Sequence, residues 1–136
     1  MDQQKLEQQL IEHEGLRLKP YVCPAGKITI GAGRNLDDNG ISTAEAMVLL
    51  RNDILATTLR LEKVVPGFRS LSERRRMALI DMCYNLGLPR LLKFKKMLAA
   101  MLARDFDTAA DEMLDSVWAD QVGQRAHTLA TMMREG

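Results

Sequence analysis

Three side chains stand where chemistry could be done: Glu14, then Cys23 after eight intervening residues, then Thr29 after five more, within EGLRLKPYVCPAGKITIGAG. Together they supply a carboxyl, an ionisable thiol and a hydroxyl that both donates and accepts hydrogen bonds. Leu6, Leu10 and Glu14 recur at every fourth position, which places Glu14 on the apolar stripe of a helix. Gly15 is a natural residue to follow a helix, so the carboxyl also lies at the negative end of the helix dipole. Both settings favour the protonated acid, which can give its proton to a leaving oxygen, as glycoside cleavage requires. On the residues alone Cys23 is either a spare thiol in a turn or a catalytic group.

The elements that must position these groups are legible around them. Residues 2 to about 14 read as a helix and residues about 16 to 34 as a small antiparallel sheet, turning at Pro24-Ala25-Gly26-Lys27. If Ile28 and Ile30 pack on one face, Thr29 points from the other into the space beside Cys23 and Glu14, and Gly31 and Gly33 keep that wall low. Residues Arg34 to Gly40 read as loop. Ser42-Thr43-Ala44-Glu45 is a capping box that starts a helix over about 43–61, ended by Val64-Val65-Pro66-Gly67-Phe68. Ser70-Leu71-Ser72-Glu73 is a second capping box, opening a largely buried helix to about residue 86 that Gly87 and Pro89 end. Arg74-Arg75-Arg76 suits an anion site or, more simply, a solvated first turn. Further helices follow over about 91–103, after Asp105, and from Val122 onward, with nine methionines suited to filling a core.

The spacing of Glu14, Cys23 and Thr29, with GLRLKPY and TIGAG around it, resembles the glutamate, aspartate-or-cysteine, threonine triad of phage-type lysozymes, or endolysins. Met82 to Gly87, MCYNLG, is similar to that family's central core helix, and Trp118 to Ala126, WADQVGQRA, to its tryptophan segment before the last helix. The resemblance implies one lysozyme-like domain over 1–136, of α+β class and mainly α. A sheet lobe would occupy about 15–40, an interlobe helix about 43–61, and a helical lobe about 70–136 joined by the N-terminal helix. It implies hydrolysis of the β-1,4 bond between N-acetylmuramic acid and N-acetylglucosamine in peptidoglycan. Glu14 would be the general acid, and Cys23 and Thr29 would hold the attacking water, which leads to inversion. Arg125 would orient Glu14, and Asn35, Tyr84, Met97 and Glu112 fall at substrate-contact positions. Tyr84 reads either as a sugar-stacking ring or as core. Arg34 stands where the family often has histidine, and Asp53 is its expected ion-pair partner. A catalytically weak wall-binding domain and a lytic transglycosylase using Glu14 alone are the alternative functions.

Composition bounds the rest. The net charge of +1, from 19 basic and 18 acidic residues, carries no nucleic-acid signature. No stretch has the length of a membrane span and the N-terminus is too polar for a signal peptide, so the chain is expected to stay in the cytoplasm where it is made. The resemblance implies a monomer that reaches the wall through a membrane-permeabilising partner such as a holin, by virion carriage or as part of a fusion. Two cysteines, Cys23 and Cys83, make no disulfide framework, and His13 and His127 lack metal-ligand spacing, so neither a cofactor nor a metal is expected.

Overall fold

A computed structural model describes all residues, 1–136. The chain divides into two compact units, Met1–Leu49 and Leu50–Gly136, and the division falls inside one long helix.

The first unit opens with α1 (Gln3–Glu14), whose N-cap Asp2 accepts a hydrogen bond from the backbone N–H of Lys5. Gly15 ends it at φ +79°, its N–H donating to the carbonyl of Ile11. The apolar stripe expected to shelter Glu14 is not a buried one: α1 buries none of its residues, and Leu6 and Leu10 are exposed. The helix groups with the sheet rather than with the helical residues, because Gly15 feeds it directly into the first strand. Strands β1 (Arg17–Val22), β2 (Ile28–Gly31) and β3 (Arg34–Asn35) form an antiparallel sheet in the order β1-β2-β3. The stretch expected to be loop carries β3 and a one-turn helix, α2 (Leu36–Asn39), since Asn35 can cap locally through its side-chain oxygen to the Asp38 N–H. Asp37 then accepts from the N–H of Ile28 at 2.7 Å and Asp38 pairs with Lys27, which clasps this turn onto β2.

The long helix α3 (Thr43–Val64) begins with the reciprocal capping box read from the sequence. Ser42 N–H donates to Glu45 Oε1 at 2.8 Å, and Glu45 N–H donates to Ser42 Oγ at 3.1 Å. Glu45 also takes both ends of the Arg34 guanidinium, at 3.0 and 2.7 Å, so Arg34 is paired inside the first unit instead of with Asp53. Glu45 wins because the box already fixes its carboxylate where a fork of donors can meet it.

The second unit holds the core. A 3₁₀ turn (Phe68–Ser70) precedes α4 (Glu73–Leu86), whose N-cap is Ser72 rather than Ser70, because residues 68–70 are used in that turn. Five further helices follow: α5 (Leu88–Leu91), α6 (Lys95–Leu102), α7 (Phe106–Leu114), α8 (Val117–Val122) and α9 (Gln124–Glu135). The Pro89 ring inside α5 and the Asp105 cap of α7 account for two of these starts. Leu79, Met82, Met97, Met113 and Met133 are fully buried at the centre, so the methionines serve mainly as core filler. Trp118 meets the Phe94 ring edge-on at 6.3 Å and donates through Nε1 to Asn85 at 2.8 Å. Arg75 is not on a solvated turn: it stacks 3.5 Å from the Phe106 ring centre and donates to the carbonyls of Met133 and Arg134, the unsatisfied end of α9. No helix of the chain is long and apolar enough to cross a membrane.

Candidate active site

The site is built on the first unit. Cys23 closes the hairpin between β1 and β2: its N–H donates to Lys27 O at 2.9 Å, and the Gly26 N–H donates to Cys23 O at 2.8 Å. The loop Pro24-Ala25-Gly26 has its glycine at φ +80°, the geometry of a three-residue hairpin connection. The thiol is thereby held at the end of the ladder. Its pKa lies below the ordinary thiol value, chiefly because backbone hydrogen bonding at Lys27 stabilises the thiolate, with a further contribution from the Thr29 hydroxyl.

Thr29 sits on the middle strand, opposite Tyr21 of β1 and Asn35 of β3. Here the sheet reverses the expected burial, with Thr29 only 3% exposed and Ile28 44% exposed. The row Tyr21, Thr29 and Asn35 faces inward, and Ile28 and Val22 face water. The Thr29 hydroxyl lies 2.9 Å from Lys27 O, to which it can donate, and it retains acceptor capacity for a water. Asn35 both caps α2 and donates to Asp38 Oδ2 at 2.9 Å, so part of its hydrogen-bonding capacity is already used.

Glu14 comes to this row from the end of α1. Its side chain lies against Gly33: a Cβ built at that glycine would stand 3.0 Å from Glu14 Oε2 and 3.2 Å from Glu14 Cδ. With φ +80° at Gly33 as well, only glycine lets the turn between β2 and β3 pass so close under the carboxyl. Glu14, Cys23, Thr29 and Asn35 line one cleft of about 300 Å³, together with Arg17, Tyr21, Pro24 and Gly33. A carboxyl, a thiol of lowered pKa and a hydroxyl around a space of that size can bind a small polar ring and act on it.

The remaining expected residues lie in the second unit. Arg125 donates to Asp81 Oδ1 from Nε at 2.8 Å and from Nη2 at 2.6 Å, and both line a groove of about 410 Å³ that also takes in the exposed ring of Tyr84. Tyr84 is thus a surface ring and not core. Glu112 and Met97 adjoin a separate pocket of about 390 Å³, Met97 with no exposed surface. Cys23 and Cys83 are both free thiols, and burial pushes the Cys83 thiol up. The sequence reading passed over Arg17 and Tyr21, whose only signal was a cation and an aromatic ring four positions apart across Pro20.

A small antiparallel sheet carrying these groups, followed by a unit of packed helices, is an α+β, mainly α, lysozyme-like fold. The chain belongs to the phage lysozyme family, which it matches over residues 11–134. It is 30% identical to the pre-baseplate central spike protein Gp5 of Enterobacteria phage T4, over 90% of this chain and 26% of that protein. Probable T4-type lysozyme 2 of Dictyostelium discoideum is 25% identical over 90% of this chain and 89% of its own length. The endolysin of Acyrthosiphon pisum secondary endosymbiont phage 1 is 35% identical over 56% of this chain and 53% of that protein. The chain therefore spans about a quarter of the spike protein and about half of that endolysin.

Proposed function

We propose that this chain is a peptidoglycan N-acetylmuramoyl hydrolase, a lysozyme cleaving the β-1,4 bond between N-acetylmuramic acid and N-acetylglucosamine. The observation that carries the reading is the single cleft lined by Glu14, Cys23 and Thr29, with Gly33 drawn under the Glu14 carboxyl. Membership of the phage lysozyme family supplies the substrate class.

In this mechanism Glu14, in its acid form, protonates the glycosidic oxygen as the bond to the anomeric carbon breaks. Thr29 accepts a hydrogen bond from a water on the opposite face of the sugar, and the Cys23 thiolate takes that water's proton as the oxygen bonds to carbon. The configuration inverts. The lowered thiol pKa supports this role, since a base must be ionised to accept the proton. Arg125 is carried as the residue that orients Glu14, its guanidinium held by Asp81, and Asn35 and Tyr84 as sugar contacts. Glu112 is carried as a substrate contact within its own pocket of the second unit, and Met97, with no exposed surface, as the packing beneath that pocket. The same reading takes a monomer as the working form and a holin-type permeabilising partner for delivery.

The test is release of products from purified peptidoglycan by wild type, Glu14→Gln and Cys23→Ala, identified by mass. Reducing-end muropeptides that disappear with Glu14→Gln support the hydrolase, and α-anomers as first product support inversion. Products with a 1,6-anhydro ring would replace hydrolysis by transglycosylation. Wall binding without any release would reduce the domain to a binding module.

A further inference from the structure

The cleft contains a cation that lies outside every ion pair of the chain. Arg17 lines it beside Glu14, yet it enters none of the ion pairs, which engage Lys27, Arg34, Arg69, Arg74, Arg125 and Arg134. Its guanidinium carbon stands 4.3 Å from the centre of the Tyr21 ring. One face of the group is therefore held by the ring, and its in-plane N–H donors are left without a partner in the protein.

The strand is shaped to make this pair. Arg17 is opposite Gly31 and Tyr21 is opposite Thr29, so four positions of β1 are matched to two of β2 and the register shifts between them. The residues between, Leu18 to Pro20, form the irregularity; Leu18 is 83% exposed and Pro20 has no N–H to offer a ladder. In a regular strand Arg17 and Tyr21 would be separated by a residue on the same face. The irregular pairing instead makes them neighbours on the cleft side, with Gly31 presenting no side chain opposite the arginine.

We propose that Arg17, held on Tyr21, receives a carboxylate of the bound glycan. A rigid, planar fork of donors in a polar cleft is matched to a carboxylate, which can accept two parallel hydrogen bonds. This rests on the peptidoglycan reading above, because such glycan bears carboxylates close to the scissile bond. They have two sources: the lactyl group of muramic acid where the peptide stem is absent, and the stem itself where it is attached. Arg17 and Tyr21 are in this sense specificity-determining, and neither takes part in proton transfer.

Binding is measured in a Glu14→Gln background, where turnover does not consume the ligand, by titration with soluble glycan fragments of three kinds. One kind carries peptide stems, one has been stripped of them to expose the lactyl carboxylate, and one has all carboxylates converted to neutral methylamides. Arg17→Gln is expected to bind at least one carboxylate-bearing kind about tenfold more weakly, the scale of one charge-assisted contact, and to bind the neutralised kind unchanged. The kind that loses affinity identifies the source. Arg17→Lys should recover only part of the loss, and Tyr21→Leu should reproduce it by removing the platform. Equal binding by Arg17→Gln and its parent, the same loss on neutralised fragments, or a parent that binds no fragment would each overturn the proposal. Hydrolysis by wild type is read separately, so a protein that binds through Arg17 without cleaving would overturn the hydrolase and leave this inference standing.

Discussion

Cys23 concentrates the chemical question at the scale of the residue. A thiolate base works only above its pKa, and hydrogen bonding at Lys27 and from Thr29 lowers that pKa from the ordinary thiol value. The expected kcat/KM profile rises with pH through a limb below the usual thiol range. Cys23→Asp should move that limb down toward the carboxylate range near ~4, and Cys23→Ala should abolish it. A limb unmoved in Cys23→Asp would show that another group is the base. Gly33 offers an independent handle on the acid. In Gly33→Ala the new methyl would meet the Glu14 carboxyl at 3.0 Å on a backbone of φ +80°, so either the turn or the acid must give by a few tenths of an ångström. Turnover should fall, by about tenfold, as the acid leaves its position, while the far-ultraviolet circular dichroism stays that of the parent.

At the scale of the element, the start of α3 is the most densely bonded surface feature of the first unit. Glu45 accepts from the backbone N–H of Ser42, its box partner, and from both ends of Arg34, and its pKa is held down to about 2, with the Arg34 hydrogen bonds first among the causes. Since the folded value is depressed, the contribution to stability is complete above the ordinary carboxylate pKa and is lost as pH falls toward about 2. Amide exchange at residues 43–47, followed from neutral pH down to pH 2 and corrected for intrinsic rates, should show protection falling across that window. In Glu45→Gln the fall should be absent, because the amide does not titrate. Ser42→Ala removes the other half of the box and should cost about 1 kcal/mol in denaturant unfolding.

The whole molecule divides its labour between a unit that carries the candidate chemistry and a unit that carries the core. The largest fully buried side chains in α4 to α9 are all Leu or Met, and none of the buried core residues lies before Leu61. Met113→Ala should therefore destabilise by about 2–5 kcal/mol, read as a lower denaturant midpoint, since a fully enclosed side chain leaves a cavity that its neighbours cannot all fill. The net charge of +1 also predicts that adsorption to an anionic wall depends weakly on salt. A steep fall in wall binding between low and physiological ionic strength would count against that.

Much was legible in the sequence because it depends on rules of short reach. The end of α1 at Gly15, the hairpin closed by Cys23, the capping box at Ser42 and the core stripe of α4 each follow from residues within a turn or two of one another. The spacing from Glu14 to Thr29 likewise sufficed to bring three reactive groups to one cleft and to mark the family. What only the tertiary structure decided is which partner each long polar side chain takes and which face of a short strand is covered. Arg34 meets Glu45 rather than Asp53, and Arg75 reaches the end of α9 rather than water. Thr29 is buried where Ile28 is not, and an irregular β1 sets Arg17 on Tyr21. Periodicity says that two faces of a strand alternate, and it is silent on which of them the rest of the chain will cover. An arginine reaches several carboxylates and carbonyls at similar cost, so its choice is made by packing that positions one of them first.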